Sequence, residues 1–305
     1  MGIGDVYEVT TGDCSDLYYV DTGMYDVPQY GAVYILDADR PAIVDTGIGT
    51  RYENILDALD ELDIAREDVE YILPTHIHLD HAGGAGYLAE ELPNATVGVH
   101  EIGAPHLVDP TRLVEGTKQA VGDAWEFYAE PKPVPEDRIR ELTDSDVIDL
   151  GNHTLGVHHA PGHAPHQVIF HDPRNDAVFT ADAAGIYHQD ADRVLITSPP
   201  PNFDLEQCIA DVKLIDALQP STLLYAHYGP AEADTRLEDY AKLLNEWVEQ
   251  IALAKDELGD DEAVIAHFLD ATDLDELWGE RKARDEVSMN VNGVLLALSR
   301  RESAK

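Results

Sequence analysis

Between positions 76 and 81 the chain places three imidazoles and a carboxylate: His76, His78, Asp80 and His81. A short apolar run, Tyr71-Ile72-Leu73, leads into them through Pro74. Burying such a cluster is costly unless something positively charged sits at its centre. The spacing therefore reads as one half of a metal site. Three downstream residues are candidates for the other half: His163 in HHAPGHAPHQ, Asp182 in VFTADAAG and His227 in LLYAHYGP. Each follows, or lies within two or three residues of, an apolar β-rich run, where the edge of a sheet would present it.

The seven side chains are all imidazole or carboxylate. Such donors suit two divalent ions, zinc first, with iron, manganese or nickel also compatible because no cysteine is among them. A carboxylate with two oxygens can bridge two ions, and a hydroxide shared between them is a nucleophile at neutral pH. The alternative is a set of unrelated structural histidines, since the chain has 14. That reading could account for His163 or His227 singly, but not for the HxHxDH spacing after a strand.

The elements that must position these residues alternate. Residues 30–36 and 42–44 read as strands of a hairpin around the turn 37–41. From Arg51 to Leu62, Ile55, Leu56, Leu59 and Leu62 fall on one helical face. A strand into His76, a helix from about Gly84 to Leu92 and the strand ATVGVH follow, a pattern that predicts an α/β (α+β) domain. Residues 104–142 break it with an amphipathic helix and the proline-rich EPKPVPED, and read as a helical insertion of lid type. Strands return at 147–160, 167–171 and 177–180. From about Glu232 the pattern is helical, with Leu237, Tyr240, Leu244, Trp247, Val248 and Ile251 spaced for packing. Cys14 and Cys208 are far apart, fit no CxxC pattern and read as free thiols.

The motifs VDTG (44–47), THIHLDH (75–81), PGH (161–163), TAD (180–182) and AHYG (226–229) resemble, in type and order, those of the metallo-β-lactamase-fold hydrolase superfamily. Glyoxalase II thioesterases, lactonases, ribonuclease Z and persulfide dioxygenases belong to it. The resemblance spans roughly residues 5–230. It implies an αββα sandwich over 1–231, with the 104–142 insertion, followed by a C-terminal helical region at 232–305. Carried over, it puts His76, His78 and His163 on a first metal and Asp80, His81 and His227 on a second. Asp182 would bridge them, and Asp80 and Asp182 would be the catalytic carboxylates, Asp80 accepting or passing a proton. Asp45 would orient ligands through hydrogen bonds, and Gly83 and Gly84 would let the backbone run close to the site. Where relatives read PGHTPG this chain has His166 in place of a glycine, facing either the pocket or the surface. Tyr187 stands near the position of a substrate-polarising tyrosine in lactonase relatives, though at a longer spacing.

Charge is extreme. There are 60 acids against 20 bases, a net charge of −40, and only seven of the bases are lysine. The acids are spread through every segment, a pattern that resembles proteins of salt-accumulating microbes such as halophilic archaea. No run approaches 18 apolar residues and the first residues are acidic rather than a basic leader, so a cytoplasmic location with no membrane partner is expected.

The expected function is metal-dependent hydrolysis of a thioester, ester or lactone, resembling glyoxalase II, whose terminal region contributes to the substrate site. No basic patch is available here to hold glutathione carboxylates. The alternative is a phosphodiesterase or nuclease with the same two metals. Against it stand the missing β-CASP segment, the missing ribonuclease Z arm and a surface that repels nucleic acid at low salt. A one-iron persulfide dioxygenase would leave half the ligands idle. The expected partner is a small-molecule substrate, with a homodimer through the C-terminal helices, whose Val291, Val294, Leu295 and Leu298 pack on the hydrolase body or on a twin subunit.

Overall fold

The computed structural model of the protein describes residues 2–303. Strands β1 (Val6–Glu8), β2 (Leu17–Asp21), β3 (Ala32–Leu36), β4 (Ala42–Val44), β5 (Tyr71–Leu73), β6 (Thr96–His100) and β7 (Ile139–Leu142) form one sheet in that order. It is antiparallel from β1 to β4 and parallel from β4 to β7. The second sheet joins β8 (Val147–Asp149), β9 (Thr154–His159), β10 (Val168–Asp172) and β11 (Ala177–Ala181). After a separate hairpin of β12 (Ile186–His188) and β13 (Arg193–Leu195), β14 (Thr222–Tyr225) and β15 (Gly229–Glu232) complete it in the order β15-β14-β11-β10-β9-β8. The β11–β14 pair is parallel.

Alternation along the strands decides what each face buries. Val44, Leu73 and Tyr34 of the first sheet meet Phe170, Phe179 and Leu224 of the second, forming the core between the sheets. The intervening residues Ile35, Ile43 and Ile72 face outward against helices α1 (Glu53–Glu61), α2 (Leu79–Ala82), α3 (Ala85–Glu91) and α4 (Ala104–Val108). Ile169, Val178 and Leu223 face the opposite way, under α6 (Leu205–Leu218) and the terminal helices. The result is four layers, helix–sheet–sheet–helix, as the motifs imply.

The predicted insertion divides in two. Helix α5 (Thr111–Val121) and a 3-10 turn (Gly122–Phe127) lie over the edge where the two sheets meet, whereas its last four residues are strand β7 and extend the first sheet. At the C-terminus, α7 (Arg236–Leu258), α8 (Asp261–Ala271), α9 (Asp275–Trp278) and α10 (Glu280–Ser303) pack on the second sheet of the same chain. Leu237, Tyr240, Leu244 and Ile251 of α7 and Val287, Val291, Val294 and Leu295 of α10 share one buried cluster with Val178 and Leu223. Among the described residues no helix is long and apolar enough to cross a membrane.

Candidate metal centre

The segments that carry the site all leave the C-terminal ends of strands, with Asp80 and His81 on the short helix α2 that follows β5. β4 runs into Asp45, β5 into His76, β9 into the loop of His163, β11 into Asp182 and β14 into His227. In open α/β sheets that edge is where ligands collect. Two local distortions sharpen the aim. Asp45 and Ala181 take left-handed φ values of 62° and 48°, uncommon for non-glycine residues. Opposite Leu224 and Tyr225 of β14, β11 spends an extra residue between Phe179 and Ala181. That bulge turns the chain before Asp182.

The structure brings all seven predicted ligands together. His78 Nδ1 lies 3.1 Å from His76 Nε2 and 3.0 Å from His163 Nε2. His81 Nε2 lies 3.2 Å from His227 Nε2, and Asp80 Oδ2 is 4.0 and 3.7 Å from those two nitrogens. Asp182 stands between the groups: its Oδ2 is 3.1 Å from His163 Nε2 and 3.5 Å from His81 Nε2, and its Oδ1 is 3.7 Å from His227 Nε2. Three overlapping triads, His76/His78/His163, His76/His81/Asp182 and Asp80/His81/His227, could each hold a metal ion.

Hydrogen bonds fix which nitrogen His81 and His227 present. Asp45 accepts from the Thr75 N–H (2.7 Å) and hydroxyl (2.8 Å) through Oδ1, while its Oδ2 lies 3.0 Å from His81 Nδ1. With Nδ1 donating there, His81 offers the lone pair of Nε2 to the site. His227 Nδ1 donates to the Tyr30 carbonyl (3.1 Å), which leaves its Nε2 free in the same sense. Gln167, fully buried, ties two ligand loops together: its Nε2 donates to the Ala160 carbonyl (2.9 Å) and its Oε1 accepts from the Asp182 N–H (3.3 Å).

These residues fit divalent metal. Lone-pair nitrogens about 3 Å apart repel unless a cation or proton lies between them. Asp182 Oδ1, buried, has no hydrogen-bond partner among the described residues. Burial pushes the imidazolium of His163 down to about 3, and that of His76 well below the usual range with help from His81 and His78, so these rings are neutral donors. Burial would also raise Asp182, but His163 and His81 outweigh it and hold the group ionised. His81 is the exception: burial works against its charge, yet Asp45, Asp182 and Asp80 together raise it well above the usual value. Without metal the charged ring therefore keeps a proton on Nε2 as well, and a bound cation would displace it and balance the surrounding carboxylates.

Gly83 and Gly84 are required by contact, not by dihedral angle. A Cβ on Gly83 would come 2.3 Å from the Leu79 carbonyl oxygen, and one on Gly84 2.4 Å from that of Thr46. The HLDHAGG segment can therefore press onto VDTG, where Thr46 N–H and hydroxyl both donate to the His81 carbonyl at 2.7 Å.

The site opens into a cavity of about 480 Å³ under α5 and α10. His166 lines it, its ring parallel to that of His76 at 6.1 Å. Ile77 N–H donates to its Nδ1 at 3.4 Å, so the neutral ring carries its proton on Nε2. Burial, with His78 and His163, pushes it down to about 2. Tyr187 is elsewhere: its phenol donates to Asp192 (3.0 Å), its ring stacks on Tyr225, and it does not line the cavity. The expected polarising role falls away because β12 turns this side chain away from the metal cavity and into the packing beneath Arg236, and only its backbone N–H reaches the centre, on the His227 carbonyl. Tyr25, Tyr30 and Tyr128 take up the wall instead, the hydroxyls of Tyr25 and Tyr128 hydrogen-bonded to each other. Glu286 of α10 joins them, accepting from Tyr30 (2.8 Å), Lys282 (2.6 Å) and Asn290 (2.9 Å). Of these, only the α10 residues left a sequence signal: Lys282, Glu286 and Asn290 recur every four residues along the face that also carries Ala283, Val287 and Val291.

A model of the metallo-beta-lactamase superfamily matches residues 27–227, and the chain belongs to that family, whose members are largely hydrolytic enzymes that bind divalent metals. A metallo-beta-lactamase fold-containing protein of Sulfurisphaera tokodaii is 27% identical over 222 residues, 71% of this chain and 79% of that one. An acyl-coenzyme A thioesterase of Gallus gallus is 26% identical over 187 residues, 55% of this chain and 62% of that protein. Among solved structures, the archaeal superfamily protein from Sulfolobus tokodaii superposes with a TM-score of 0.69 at 24% identity, over 92% of this chain and 99% of that one. A B3 metallo-beta-lactamase with an active-site glutamic acid gives 0.54 at 20% identity, over 80% and 89%.

Proposed function

We propose that the protein is a dinuclear metal-dependent hydrolase of thioesters, esters or lactones, with His76, His78 and His163 on one ion, Asp80, His81 and His227 on the other, and Asp182 shared. Zinc is the expected metal, with iron or manganese as alternatives that satisfy the same donors. The observation that carries this reading is the convergence of seven nitrogen and oxygen donors at the floor of one cavity. When bound, such a metal pair polarises a carbonyl and makes water a nucleophile near neutral pH.

The chain's own residues supply the rest. Asp45 and the Tyr30 carbonyl hold His81 and His227 in the tautomers that leave Nε2 unprotonated. Asp80, with 26% of its side chain exposed at the cavity wall, is placed to take up a proton. Of the two phenol hydrogens of Tyr25 and Tyr128, one is spent inside the pair, and the other is free for a substrate oxygen.

Acyl chemistry is favoured over phosphodiester chemistry by the wall itself. Beyond the metal-ligating side chains the wall is largely apolar and aromatic, with Tyr25, Tyr30, Tyr128, Leu113 and Ile186, and Arg112 is its one cation, so it offers an acyl group more contact than it offers a phosphodiester's charge. The name of the Gallus gallus relative, a thioesterase, is consistent with this choice. The test is a paired assay in multimolar salt with added zinc or manganese, comparing a chromogenic thioester or lactone with bis(p-nitrophenyl) phosphate and using His76→Ala as blank. Acyl turnover should exceed phosphodiester turnover by about two orders of magnitude, a gap of roughly 2.7 kcal/mol in barrier. The reverse preference would transfer the protein to the phosphodiesterases.

A further inference from the structure

A second and larger cavity, of about 860 Å³, lies between the 3-10 turn after α5 and the outer face of α10. It adjoins the metal cavity: Tyr25, Gln119, Ala120, Val121, Pro200 and Met289 line both. From that junction it follows α10 from Met289 to Leu296, about 10 Å at the helical rise. Phe127, Trp278 and Leu295 make its floor, and Leu296 is one of the few large apolar side chains left 39% exposed.

Resting on the acyl-hydrolase reading, we propose that this groove is the subsite for a linear apolar acyl chain whose carbonyl sits at the metal centre. Two observations select that occupant. The groove shares a wall with the metal cavity and leads away past Met289, Leu295 and Leu296, so a chain threaded between the shared residues would occupy both. Its charged rim is Asp123, Asp261, Glu280 and Asp285 against Arg281 and Lys282. Lys282 is already committed, bonded to Glu286 and seated over the rings of Tyr25 and Tyr30 at 4.5 and 4.1 Å. A polyphosphate or a carboxylate-rich thiol would be repelled by such a rim, whereas a hydrocarbon chain is not. The leaving group of the substrate therefore lies on the other side of the metal cavity, toward Arg112 and Asn202.

The test combines catalysis with binding. Across thioesters from butanoyl to dodecanoyl, kcat/KM should rise about fourfold for each methylene the groove buries. Met289→Trp and Ala120→Trp, which block the junction from α10 and from α5, should each lower the dodecanoyl-to-butanoyl ratio at least tenfold. Separately, a fluorescent fatty-acid analogue, which has no bond to hydrolyse, is titrated into wild type and both variants, with melting curves establishing that the variants fold. Wild type should bind it and both variants should bind at least tenfold more weakly. A flat chain-length series together with plug-insensitive probe binding overturns the proposal. If no acyl thioester is hydrolysed but the probe binds and both plugs abolish binding, the acyl-hydrolase reading falls and the groove assignment stands.

Discussion

Asp45 touches no candidate metal position, yet it sets what His81 can do. Its Oδ1 is occupied by two donors from Thr75, which leaves Oδ2 as acceptor for His81 Nδ1–H. In Asp45→Asn the amide NH₂ would face Nδ1 and drive the imidazole proton onto Nε2, the atom the metal needs. Asparagine tolerates the left-handed backbone at this position, so the fold should survive. We expect metal affinity to fall 10- to 100-fold with the melting temperature of the metal-free protein near that of wild type. Calorimetric zinc titration checks this, and unchanged affinity would remove Asp45 from the centre's support. At this scale the ligands were legible because four of them crowd into six residues and the rest follow strands. The phenols of Tyr25 and Tyr128 lie 103 positions apart, so no spacing betrays the pair. Tyr187 misleads for the opposite reason: it is near Asp182 in sequence, but strand direction carries its ring away.

Among the elements, α10 links the packing of the C-terminal region to the shape of the cavity. Asn290 accepts from the Ser198 N–H (2.5 Å), and Gly293 lies so close that a Cβ there would be 1.9 Å from the Ser198 carbonyl oxygen. Because the obstacle is backbone of the 197–201 loop, it yields only by moving that loop or the helix. Gly293→Ala should therefore destabilise the protein by about 1–3 kcal/mol, the usual cost of overpacking. It should also raise KM, since Thr197 and residues 199–201 line the metal cavity. Chemical denaturation and steady-state kinetics read the two effects, and an alanine variant as stable as wild type would contradict the packing described. Helical periodicity made α7 and α10 visible in the sequence, and alternation did the same for most strands. The assignment of 139–142 to the first sheet was not legible, because IREL carries no alternation and its place depends on parallel pairing with distant β6. The bulge before Asp182 is likewise a property of how β11 meets β14, not of TAD itself.

Over the whole molecule, a net charge of −40 stores self-repulsion on a surface with 20 basic residues to offset 60 acidic ones. Mobile ions shorten its reach from about 10 Å at 0.1 M salt to about 3 Å at 1 M. The melting temperature should rise steadily with potassium chloride into the molar range. A flat or falling curve would mean that the acidic surface is not what limits stability at low salt. The composition made this expectation available from the start. The metal motifs did the same for the fold through their resemblance to the metallo-β-lactamase superfamily, which implies two sheets meeting at a common edge. The cavity walls, drawn from α5, the 197–202 loop and α10, were not legible, because their contacts span most of the sequence.

The most direct test of the central claim is to measure bound metal and acyl hydrolysis on the same samples, after equilibration with zinc and dialysis. Wild type should retain two ions per chain, and His227→Ala and His163→Ala should each fall to about one, with acyl turnover reduced at least a hundredfold in both. Full acyl turnover in protein holding less than one ion per chain, or in either variant, would contradict a dinuclear hydrolytic centre.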